Sequence, residues 1–100
     1  MPENRLQPLA REAAETLALK ALGWMAAQDE LIAAFLGSTG TSPDELKARA
    51  ADPEFLGFLL DFLLQDEAAL LAFCDAHDEQ PDRPFRARAA LPGGDLPHWT

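Results

Sequence analysis

Ten consecutive residues, Phe55 to Leu64, read Phe-Leu-Gly-Phe-Leu-Leu-Asp-Phe-Leu-Leu and carry eight large apolar side chains. On a helical wheel the segment is apolar around about two thirds of its circumference. It therefore sits in the middle of a bundle or offers a face to another molecule. As a helix the run is about 15 Å long, against about 30 Å for the hydrocarbon core of a bilayer, so it does not span a membrane. Its polar residues fall in one narrow seam, Glu54, Gly57, Asp61 and Gln65, which predicts a solvent-facing strip along an otherwise covered helix.

The rest of the chain supplies the cover. Valine is absent, Ile32 is the sole isoleucine, and alanine and leucine dominate, a composition for helices and against sheets. A first helix is expected to open near Pro8, with Ala13, Leu17, Ala21, Trp24 and Met25 on its inner face. Asp29 is placed to cap a second helix bearing Leu31, Ile32, Phe35 and Leu36, with Gly37 and Gly40 as its stop. Ser42-Pro43-Asp44-Glu45 is the sharpest local signal, a capping box with proline in the first turn, and Asp52-Pro53-Glu54 repeats the cap-then-proline start.

A helix running on past Gln65 would turn Asp66 and Glu67 into its own apolar face, so a break is expected there, with Asp66 capping a fifth helix that carries Leu70, Leu71, Phe73 and Cys74. A sixth helix is expected from about Asp82 to Leu91, with Phe85 and Ala89 inward, and Pro92-Gly93-Gly94 ends it. The predicted fold is all-α: a compact orthogonal bundle of five to six short helices around a central apolar helix at about 53–65. Residues 1–94 form a single helical domain, and 95–100 are a loose tail unless Leu96 and Trp99 pack back.

The net charge of −9 is unevenly placed: residues 29–80 hold 12 acids against only Lys47 and Arg49. That surplus repels phosphate backbones and disfavours nucleic acid as a partner. Solubility explains the acidity better than mimicry of DNA, which has only the charge behind it. Arg83, Arg86 and Arg88 are better read as intramolecular or intersubunit charge partners than as a basic patch. With Cys74 the sole cysteine and no secretory segment after Met1, a cytoplasmic location is expected.

Few residues have the makings of chemistry. Cys74 and His77 share a helix face beside Asp75, Asp78 and Glu79, but two ligands make no zinc site, and a packed histidine near a helix C-terminus is the stronger reading. Gly37 to Ser42 lacks the Gly-Lys-Ser/Thr ending and preceding strand of a phosphate loop. Asp61, alone among the leucines and phenylalanines, would be a candidate acid if buried. Gly57 in mid-helix costs about 1 kcal/mol relative to alanine and suggests that another backbone crosses closely there.

Several motifs together resemble a small uncharacterised bacterial family, domain of unknown function three-five-seven-two, over roughly residues 10–94. They are Ala18-Leu19-Lys20-Ala21-Leu22, Thr39-Gly40-Thr41-Ser42-Pro43-Asp44-Glu45-Leu46, Asp52-Pro53-Glu54-Phe55-Leu56, Leu60 to Glu67, and Ala90-Leu91-Pro92-Gly93-Gly94. The resemblance implies a short, soluble, all-helical protein and brings no activity with it. The expectation is then a non-enzymatic interaction module, an adaptor or regulator, with a protein partner or a second copy seated on Phe55, Phe58, Leu59 and Phe62. No cofactor, nucleic acid or membrane partner is expected. The alternative is a small enzyme or ligand-binding protein with a pocket near Asp61 or His77.

Overall fold

The computed structural model describes residues 7–93, which form six helices and, among the described residues, no strand. In chain order they are α1 (Arg11–Ala26), α2 (Asp29–Thr39), α3 (Pro43–Arg49), α4 (Pro53–Leu64), α5 (Glu67–His77) and α6 (Arg83–Ala90). The all-α expectation holds. The tail expected at 95–100, with Leu96 and Trp99, lies outside the described residues.

Local chemistry sets the boundaries. At α3 the Glu45 N–H donates to Ser42 Oγ (3.3 Å) while the Ser42 N–H donates to Glu45 Oε1 (2.9 Å), a reciprocal capping box. Asp52 accepts from the Glu54 N–H at 3.0 Å and Pro53 opens α4. The break before Asp66 is present, and its carboxylate caps α5 through the Ala69 N–H at 3.1 Å. Both ends of α2 differ from expectation. Gln28 is its N-cap and Asp29 already stands in the first turn, while the helix runs through Gly37 to Thr39. Only Gly40 ends it, because only the left-handed C-cap (φ 72°) demands glycine.

α4 is the centre of the core. Its Phe55, Leu56, Leu59, Leu60 and Leu63 are buried, covered by α1, α5, α6 and by Phe35 from α2. α1 starts at Arg11, not near Pro8, and its buried face is Ala14, Leu17, Ala18, Ala21, Leu22 and Met25. The expected Ala13 and Trp24 are half-buried at the margins of that face.

The expected orientation of α6 is corrected. Phe85 is exposed and Ala89 half-buried, while Pro84, Ala87 and Leu91 are buried. Positions 84, 87 and 91 line up at three- and four-residue steps, and Phe85 is turned about 100° from Pro84. Small residues also suit this seat: α6 packs most extensively on α1, whose Ala14, Ala18 and Ala21 are themselves fully buried. The entry to α1 is tied to α6 by the backbone, with the Leu9 N–H donating to Arg86 O at 3.1 Å and Arg86 Nε donating to Gln7 O at 2.9 Å.

Candidate functional site

The four apolar residues expected at an interface divide by burial. Phe55 and Leu59 are fully buried, which removes them as contact residues: both point into the core that α1 and α2 close over. Phe58 is 50% exposed and Phe62 half-buried. The ring of Phe35 stands edge-on to Phe55 (5.4 Å between centroids) and to Phe62 (5.3 Å), so α2 and α4 are locked through a three-ring cluster. Arg49, in the last turn of α3, lies 4.9 Å over the Phe55 ring. Around this cluster opens a groove of about 490 Å³, with Phe58 and Phe62 on the α4 side, Ser38 and Thr39 on the α2 side, and Arg49 and Asp61 as its charges.

The polar seam of α4 is solvent-facing only in part: Glu54 and Gln65 are exposed and Asp61 partly so, while Gly57 is buried. Arg88 reaches over it from α6. Its Nε donates to Asp61 Oδ1 at 2.6 Å, its Nη2 to Asp61 Oδ2 at 3.1 Å and its Nη1 to the Pro92 carbonyl at 3.0 Å. The two-pronged geometry is the one a guanidinium and a carboxylate make best. Gly57 is buried beneath it: a Cβ there would lie 2.9 Å from Arg88 Nη1, 3.2 Å from Cζ and 3.4 Å from Pro92 O. The close neighbour read from Gly57 is thus chiefly a guanidinium, with a backbone carbonyl behind it.

Cys74 and His77 are not brought together as a site. Cys74 is buried with Sγ 4.0 Å from Gln80 O, and burial followed by the charges of Glu79 and Asp82 pushes its thiol above the usual range. His77 is exposed at the end of α5, its ring 5.1 Å from that of Phe73. Among the described residues no group of three or more His, Cys, Asp and Glu converges on a metal position. Glu79 instead joins two elements, accepting from Lys20 Nζ at 2.8 Å and Arg83 Nε at 2.9 Å. Burial opposes its ionisation, but the Lys20 hydrogen bond and charge, aided by Arg83, outweigh that and hold its carboxyl below the usual range.

The arginines of α6 thus act as internal charge partners, with Asp61, Glu79 and, at 3.8 Å, Asp82 for Arg86. Which acid each one meets was not readable, because the pairing depends on how α6 crosses α4 and α1. Around the Phe58 groove the hydroxyls of Ser38 and Thr39 donate to carbonyls of α2, with no base beside them. Among the described residues, the one carboxylate in its lining, Asp61, is engaged by Arg88. Among the described residues no helix is long and apolar enough to cross a membrane.

A protein-family model described as Protein of unknown function (DUF3572) matches residues 11–94. No curated protein and no solved structure matches the chain.

Proposed function

The chain belongs to the DUF3572 family, proteins of unknown function, and on that premise we propose that it is a small non-enzymatic protein-interaction module, a cytoplasmic adaptor or regulator that seats a segment of a partner protein in the groove beside Phe58. One observation carries this reading. Phe58 is 50% exposed in the middle of a helix whose other large apolar side chains are buried or half-buried. A ring held half in water forgoes about 1 kcal/mol of burial that a partner would restore. Aromatic anchors beside a groove, with a polar margin such as Arg49 and Gln65, are the usual centre of a protein contact.

A second copy is the weaker occupant, since it brings the same 12 acids against two bases across residues 29–80. The test is a photo-crosslinking side chain at position 58 in the native cell, with position 19 as control: Leu19 is 46% exposed on α1 and away from the groove lining. The expected result is one defined adduct through position 58, absent through position 19 and lost when Arg49 is also replaced by Glu. An adduct of twice the chain mass assigns the groove to a homodimer. Identical adducts through both positions, or none through position 58, overturn the proposal.

A further inference from the structure

A second groove, about 670 Å³ in volume, lies between the first half of α2 and α5. Its apolar surface comes from Trp24, Leu31, Phe62, Ala34, Ala69 and Ala72. Trp24 packs edge-on against the buried Phe73 (5.9 Å between centroids), which places the indole before anything binds. The alanines stop at Cβ, so a helix laid between α2 and α5 can bring its backbone close.

The margin of this groove has one sign. Asp29, Glu30 and Asp66 line it, no lysine or arginine does, and among the described residues none of the three acids makes an ion pair. Two helix N-termini, those of α2 and α5, carry about half a positive charge each and so offset about one of the three negative charges. The margin stays acidic. A second copy is the poorer match: its α6 arginines are committed to Asp61, Glu79 and Asp82, which leaves only Lys47 and Arg49, among the described residues, outside the ion pairs to meet the acids of the margin. Nucleic acid is excluded by the same sign.

We infer that this groove receives an amphipathic helix of a partner protein whose apolar stripe is flanked by lysine or arginine. Apolar contact with Trp24, Leu31 and Phe62 holds the stripe, and the acidic margin fixes its direction and speeds its arrival. This site shares only Phe62 with the Phe58 groove, so the two proposals stand or fall separately.

The probe is a leucine–lysine peptide with leucines at three- and four-residue spacing, set against a scrambled peptide of the same composition. Titrated into labelled protein, the patterned peptide is expected to shift the Trp24 indole and the Ala34, Ala69 and Ala72 methyl resonances, with the scrambled peptide at least tenfold weaker. Neutralising the margin with Asp29→Asn and Glu30→Gln is expected to weaken binding about tenfold at low salt, and less as screening shortens the range of charge to about 3 Å at 1 M. Both positions are exposed, and unfolding curves confirm that the variant remains folded. Phe58→Asp is expected to leave this titration unchanged. Shifts confined to the Phe58 groove, equal binding by the scrambled peptide, the same shifts on raising protein concentration alone, or no loss in the neutralised variant would each overturn the inference.

Discussion

Replacing Gly57 by alanine should reverse the sign normally expected of a glycine-to-alanine change within a helix. In an open helix interior the substitution stabilises by about 1 kcal/mol. Here the new Cβ would stand 2.9 Å from Arg88 Nη1, closer than real Cβ contacts allow, and a tight 3.2 Å from Cζ, so the guanidinium must retreat. It is not free to do so, because three hydrogen bonds fix it to Asp61 and the Pro92 carbonyl. The Asp61 side chain is 45% exposed, so the pair is screened and its loss costs about 1 kcal/mol. Releasing the Pro92 carbonyl costs about 1 kcal/mol more. Gly57→Ala is therefore expected to destabilise by about 1 kcal/mol, a fall in Tm of about 4–8 °C for a chain of this size. With Arg88→Ala as background the obstruction is gone, and the same change should stabilise by about 1 kcal/mol. Urea unfolding of the two single variants and the double variant completes the cycle, with an expected coupling of about 2 kcal/mol. Additive effects, or a stabilising Gly57→Ala in the unaltered protein, would refute the account of Gly57 as the seat of Arg88.

Neighbouring positions on α4 should respond very differently: Leu59→Ala, at a fully buried site, is expected to cost about 2–5 kcal/mol, whereas Phe58→Ser should change stability by under about 1 kcal/mol. Similar losses at both in denaturant melts would contradict the burial pattern. Glu79 has a folded pKa below its unfolded one, so its stabilisation is complete above about pH 5 and disappears as pH falls through the folded value. Glu79→Gln should accordingly lower stability at neutral pH and flatten the acid limb of the stability profile; an unchanged limb would assign acid sensitivity to other carboxylates. Cys74 is buried with its thiol pushed upward, so alkylation at pH 8 should be at least about a hundredfold slower in the native than in the unfolded protein. Rapid native labelling would show that the end of α5 opens readily.

Much of the architecture was legible because it is written in local chemistry. Ser42 with Glu45, Asp52 with Pro53, and Asp66 each satisfy helix amides within three residues, so the starts of α3, α4 and α5 can be read without knowing what packs on them. The face that a helix buries is a different matter. Phe85 is more apolar than Ala87, yet Ala87 is the buried one, because close approach to α1 selects size over hydrophobicity. Burial sorted the expected contact residues for a similar reason: on a wheel Phe55, Phe58, Leu59 and Phe62 are alike, and only the positions of α1, α2 and α6 separate the covered from the open. Asp61 is partly solvent-facing as the wheel has it, but its ion-pair partner lies 27 residues away at the far side of a crossing and could not be read. Gly57 pointed in the right direction, but glycine reports that something is near and not what it is.

The contact between α1 and α6 bears on how the chain is made. A polypeptide leaves the ribosome from its N-terminus, at about 5–20 residues per second, and domains tend to fold as units once they have emerged. Here Ala14, Ala18 and Ala21 of the first helix lie in the core with Ala87 and Leu91, and the Leu9 amide is bonded to Arg86. Individual helices can flicker into existence during synthesis, but the core stays unsealed until almost the entire domain is outside the exit tunnel. Until then α4 lacks the cover that α6 gives it and is open to chaperones or to other nascent chains. A stalled or prematurely ended message that stops short of α6 would thus release an oily fragment with the acidic middle still attached, and that charge is what stands between such a fragment and aggregation.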